Sequence, residues 1–145
     1  MDVEIKTGFE NERAIVECTE ITAEIEDIKS YILSKGKQLT VFGYEEHTYS
    51  LKLDDICYFE AVDEHVFAYT ADKTYEVKKR LYELENLYSS YHFVRCSKSV
   101  LINVFLVESI SPALNGRFFA HMLNGEKIII SRQYVPQLKK AIFGE

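Results

Sequence analysis

The sequence predicts a mainly β protein with a few short helices, and three observations carry that expectation. From position 38 onward, short runs rich in Tyr, Phe, Val, Ile and Thr are separated by polar or glycine-containing turns, the punctuation of strands. Apolar residues recur at helical spacing only in brief stretches around 21–33, 82–88 and 134–142. The chain has 145 residues, 47% hydrophobic and 28% charged, which suits one soluble domain able to bury a core without disulfide staples.

Positions 3–9 alternate in part through Val3 and Ile5, Asn11-Glu12 supplies a turn, and 14–18 reads as a second strand, predicting a hairpin. Ile21, Ile25, Ile28, Ile32 and Leu33 then fall on one helical face. Thr22 can cap this helix, Glu24, Glu26 and Asp27 suit its N-terminal dipole, and Gly36 ends the run. Residues 1–37 are thus expected as a ββα appendage, too small to fold alone, whose apolar stripe must be covered by the rest of the chain or by a second copy.

The body, 38–145, opens with expected strands at 39–44, 48–53, 56–62, 65–70 and 74–78. Tyr82, Leu84, Leu87 and Tyr88 suggest a short helix before an extended 93–96, and Ser97 could cap one or two helical turns over 97–102. Strands at 107–111 and 117–122 flank a loop with Pro112 and Gly116, and Asn124-Gly125 predicts a hairpin into 127–130. Tyr134, Val135, Leu138 and Ile142 close the chain as an amphipathic helix with Pro136 in its first turn.

The net charge of -6 hides an asymmetry: residues 1–75 hold 7 Lys/Arg against 17 Asp/Glu, whereas residues 76–145 hold 10 against 6. The balance is therefore -10 in the first part and +4 in the second, which suits either two solvated faces or a basic surface beside an acidic one. Signatures of common enzyme classes are missing: there is no GxSxG, HExxH, Walker loop or GxGxxG, so no enzymatic activity is expected. Asp54, Asp55, Glu60, Asp63 and Glu64 lack a fixed ligand spacing and read as solvated strand ends. The histidines at 47, 65, 92 and 121 share no ligand spacing either, so neither metal nor cofactor is expected. Cys18, Cys57 and Cys96 form no CxxC pair, and the acidic start of the chain lacks the pattern of a secretory signal; both favour a cytoplasmic protein.

The most informative stretch is Phe93-Val94-Arg95-Cys96-Ser97-Lys98-Ser99-Val100-Leu101-Ile102-Asn103, where cations and hydroxyls stand together at a change of chain direction and could meet an anion such as phosphate. A surface turn with a capping serine would explain it as well. The same stretch resembles the LytTR-type DNA-binding domain of bacterial transcription regulators: an aromatic-x-Arg-x-His/Ser-x-Ser-x-x-x-Asn core is matched by Phe93, Arg95, Ser97, Ser99 and Asn103. Three further blocks match in order: Asp54-Asp55-Ile56-Cys57-Tyr58-Phe59-Glu60, the leucine-bearing Leu81-Tyr82-Glu83-Leu84-Glu85, and the close formed by Gly125-Glu126 and Ser131-Arg132. The resemblance covers about residues 40 to 143, and four spaced blocks are more specific than any single motif.

What the resemblance implies is an elongated fold of small antiparallel sheets whose loops enter successive major grooves of double-stranded DNA. Carried over by position, it implies base contacts from His65, Lys98 and Arg132, with Arg95, Ser97, Ser99, Arg117, Lys127 and Gln133 at the DNA backbone or in support. It also implies a homodimer on paired direct repeats and, for compact members, a small inhibitory membrane protein as partner. No phosphoreceiver domain is expected in residues 1–40, which are too few for one. The side-chain chemistry agrees, since an arginine fork matches two guanine acceptors and lysine or histidine can donate to a purine or phosphate. For Arg95 a structural ion pair and a phosphate contact are both open. The reading from another class is a protein-binding β module whose basic half meets an acidic partner.

Overall fold

The computed structural model describes residues 1–35 and 37–144. Among the described residues, ten strands form two antiparallel sheets. The larger has the order β2-β1-β5-β4-β3-β7-β6, built from β1 (Gln38–Phe42), β2 (Thr48–Lys52), β3 (Tyr58–Val62), β4 (His65–Tyr69), β5 (Thr74–Val77), β6 (Phe93–Arg95) and β7 (Val100–Asn103). The smaller has the order β10-β9-β8, from β8 (Val107–Pro112), β9 (Phe118–Met122) and β10 (Lys127–Ile130). Three α-helices among the described residues accompany them: α1 (Ala23–Ser34), α2 (Leu81–Tyr88) and α3 (Val135–Phe143).

Two cores lie on opposite faces of β3 and β7. On one face Phe59 and Leu101 join Leu39, Val41, Ile56, Ala68 and Phe93, and α2 covers them with Leu81 and Leu84. On the other, Cys57, Tyr58, Val100 and Ile102 meet Ala120, Met122 and Ile130 of the smaller sheet and Val135 and Leu138 of α3. A strand buried on both faces needs apolar side chains at successive positions, and every residue of β7 is buried. This corrects the helical turns expected over 97–102. The continuous run Val100-Leu101-Ile102 has no alternation to mark it as a strand, and Ser97 makes a local turn by accepting from the Ser99 amide at 3.2 Å.

The N-terminal hairpin is a second correction. Residues 1–22 form no strand and are exposed apart from half-buried Val16. Each predicted strand offers only a few apolar side chains among charges, and a two-stranded hairpin with no further sheet to pack on is marginal in water. The ββα appendage is therefore an extended arm and a helix. Helix α1 forms as its pattern predicts, with the Thr22 hydroxyl accepting from the Ile25 amide at 3.3 Å. It packs on the body through buried Ser34 and through Tyr31, whose ring lies 6.0 Å from that of Phe105, while Ile21, Ile32 and Leu33 stay exposed. Gly36, expected to end the helix, lies outside the described residues.

The two sheets are joined by polar bonds as well as by packing. The Tyr58 hydroxyl donates across the sheets to Glu126 at 2.6 Å, while within the larger sheet the Tyr69 hydroxyl donates to Glu60 at 2.9 Å and the two tyrosine rings stack at 4.4 Å. Burial and these carboxylates push the Tyr69 phenol up to about 12 and the Tyr58 phenol further still, so both stay protonated donors. Asn103 serves the body in the same way: its side-chain amide donates to the Ile56 carbonyl at 3.0 Å and its oxygen accepts from Phe105 at 3.1 Å. The Asn124-Gly125 turn forms as predicted, with Gly125 at a φ of 89°.

Candidate nucleic-acid interface

The strand register gathers several chain reversals at one end of the larger sheet. Val77, the last residue of β5, faces Val66, so the following Lys78 lies beside His65 at the start of β4. His65 in turn faces Val62 at the end of β3, across the Asp63-Glu64 turn. The Ala61 amide donates to the Ser99 carbonyl at 2.8 Å, tying that hairpin to the turn between β6 and β7. The Ser131 amide donates to the Cys96 carbonyl, also at 2.8 Å, tying the exit of β10 to the same turn. One rim thus carries His65, Lys98 and Arg132, all exposed, on three segments held together by backbone hydrogen bonds.

Each of these residues has a distinct local setting. His65 Nδ1 lies 3.1 Å from Glu76 Oε1, and Lys78 Nζ lies 3.6 Å from the same oxygen. The hydrogen bond from His65 holds the Glu76 carboxyl below its ordinary range. The Glu76 carboxylate orients the ring, and its Nε2 makes no hydrogen bond among the described residues. Lys98 is the exposed apex of the β6–β7 turn. Arg132 begins the short 3₁₀ turn Arg132–Tyr134 that leads into α3, with Gln133 exposed beside it.

Arg95 is only 15% exposed at its side chain and is directed inward. Its Nε lies 3.3 Å from Glu85 of α2 and its Nη1 donates to the Lys98 carbonyl, so it clamps the turn that presents Lys98. Of the alternatives open for Arg95, the ion pair is the one the structure shows. Ser97 and Ser99 fix the same turn, their hydroxyl oxygens 3.4 Å apart. Arg117 donates from Nε to the Leu114 carbonyl at 3.0 Å in the β8–β9 loop. Lys127 stands apart from the rim: it opens β10, whose far end carries Ser131, and its Nζ lies 4.4 Å from the centre of the Phe119 ring.

Lys78-Lys79-Arg80 are not among the residues that the sequence pattern points to. All three are exposed; the register places Lys78 at the rim beside His65, and Lys79 and Arg80 follow it into α2. The signal was there, three adjacent cations between a strand and a helix, but adjacency in sequence does not reveal which end of a sheet a loop occupies. The rim is also not uniformly basic, since Asp63 and Glu64 form the β3–β4 tip, both at positive φ. Among the described residues no His, Cys, Asp and Glu cluster could hold a metal ion, and no helix is long and apolar enough to cross a membrane.

Comparison with known proteins fits this geometry. Residues 46–143 match the family model of the LytTr DNA-binding domain. The chain is 26% identical over 119 residues to an HTH-type transcriptional regulator of Staphylococcus aureus strain NCTC 8325, spanning 81% of this chain and 80% of the relative. A counterpart from strain MRSA252 is 25% identical over the same length. Among solved structures, the LytTr DNA-binding domain from Bacillus cereus superposes with a TM-score of 0.68 at 26% identity, covering 74% of this chain and 99% of that domain. No two α-helices follow one another directly among the described residues, so the helix-turn-helix of the relatives' names has no counterpart here. With its family model matched over most of its length and its antiparallel sheets superposing on a solved member, this chain belongs to the LytTr DNA-binding domain family.

Proposed function

We propose that the protein is a transcription regulator that binds double-stranded DNA sequence-specifically, reading successive major grooves with the loops of one sheet rim. The observation that carries this reading is the rim itself, where backbone hydrogen bonds hold the segments of His65, Lys98 and Arg132 together and leave those side chains exposed. Arg132 is the guanine reader, matching O6 and N7 with its fork, while Lys98 and His65 donate to purine acceptors. Lys78, Lys79, Arg80, Arg117 and Gln133 engage phosphates and set the register. Arg95, Ser97 and Ser99 position the central turn. Lys127, away from the rim, is a backbone contact at most.

The regulator acts in the cytoplasm as a homodimer on paired direct repeats, because a single rim reads too few base pairs for a genomic search. Ile21, Ile32, Leu33 and the exposed apolar residues of the arm are the surface available for pairing. Selection of bound sites from random duplex DNA, followed by titration at several salt concentrations and light scattering on the selected duplex, tests the reading. Expected are one enriched motif, a log affinity that falls linearly with log salt, and two chains per duplex. Equal affinity for selected and random DNA, or affinity independent of salt, overturns it and favours a protein partner.

A further inference from the structure

The geometry points to Gly116 as a residue that sets base preference without touching DNA: by lacking a side chain it seats the stem of Arg132 and so aims its guanidinium. The inference rests on the reading of Arg132 as a base reader. Gly116 ends the 3₁₀ turn Leu114–Gly116 of the β8–β9 loop at a φ of 74°. A Cβ added there would lie 2.9 Å from Arg132 Cδ and 3.2 Å from its Cγ. The first distance is closer than non-bonded carbons approach, so any other residue would push the arginine stem aside.

Both walls of this seat are fixed. On the loop side the Ala113 amide donates to the Arg117 carbonyl at 2.8 Å, the Arg117 amide donates to the Leu114 carbonyl at 3.3 Å, and Arg117 Nε donates to that same carbonyl at 3.0 Å. On the arginine side the Ser131 amide is bound to Cys96 and the Tyr134 amide donates to the Ser131 carbonyl at 2.9 Å. With neither backbone free to yield, a side chain at 116 moves the side chain between them. An arginine stem has many rotamers, and bidentate reading of a guanine edge accepts few of them. A backbone wall along the stem removes some of the wrong ones before DNA arrives, which lowers the ordering cost of binding. The loop between β8 and β9 thereby tunes a residue of the β10 exit.

A double-mutant cycle tests this with Gly116→Ala, Arg132→Ala and the pair, measured on the selected site and on its single-base variants. Alanine at a positive φ is strained, but that strain is the same with or without Arg132 and cancels in the cycle. Arg132→Ala is expected to relax preference at one base position by roughly 5-fold or more. Gly116→Ala is expected to weaken discrimination at that same position by about 3-fold or more and to do nothing further once Arg132 is gone. Gly116→Asn, which keeps the Cβ but tolerates positive φ, repeats the measurement should the alanine variant fold poorly. A Gly116 effect that is equal across all base variants, or undiminished in the Arg132→Ala background, overturns the inference. If Arg132→Ala itself leaves preference unchanged, the base-reading assignment falls and the role of Gly116 falls with it.

Discussion

Replacing Arg95 by alanine separates a positioning role from a phosphate contact. In the structure the Nη1 donates to the Lys98 carbonyl and the Nε pairs with Glu85 at 3.3 Å, from a side chain only 15% exposed. A hydrogen bond from a charged donor contributes about 1.5 to 3 kcal/mol. The Glu85 partner is 38% exposed, so solvent screening limits the ion pair to less than about 1 kcal/mol. Arg95→Ala should therefore cost about 2 to 3 kcal/mol of folding stability. With a urea slope of about 2 kcal/mol/M, that lowers the unfolding midpoint by roughly 1 to 1.5 M. DNA affinity should drop because the Lys98 turn loosens, yet the slope of log affinity against log salt should stay as in the wild type, since no cation at a phosphate has been removed. Loss of one phosphate contact would instead reduce that slope by about 0.9. An unchanged urea midpoint together with a reduced salt slope would refute the positioning role.

Alanine at Lys78, Lys79 and Arg80 together should weaken binding about equally on all sequences and reduce the salt slope by roughly 2 to 3, whereas a change confined to base preference would remove these residues from the phosphate set. His92 is 8% exposed, stacked on Phe105, and burial holds its imidazole down at about 4. Because the unfolded chain takes up that proton near pH 6.5 and the folded chain does not, stability present above pH 6.5 should be lost as pH falls toward 4, by about 3 kcal/mol. His92→Asn, which suits the positive φ at this position, should flatten the decline in urea midpoints between pH 6.5 and 5; an unaltered decline would point to carboxylates alone. Phe59→Ala, at a side chain with no exposure that lies between Phe93 and Tyr88, should cost about 3 to 5 kcal/mol, and a loss below about 1 kcal/mol would mean this core is not the one that holds α2.

The order of amino acids encodes short-range pattern directly. The alternation at 39–44, 65–70 and 74–78, the Asn124-Gly125 turn, the capped stripe of α1 and the spaced Arg95, Ser97, Ser99 and Asn103 were legible because strand period, turn chemistry and motif spacing are local. The failures were local patterns whose outcome depended on distant partners. Positions 3–9 look strand-like and find no sheet, whereas 100–103 show no alternation and become an interior strand because α2 covers one face and the smaller sheet and α3 cover the other. Which cations share a surface follows from how the strands pair and the sheets dock. Lys78 came to lie beside His65 through the β4–β5 register, Arg95 turned inward to Glu85, Lys127 fell at the opposite end of β10 from Ser131, and Gly116 came to lie under Arg132. Proximity between such residues is set by strand register and sheet docking, which depend on the summed burial of both cores and leave no mark at the individual positions they bring together.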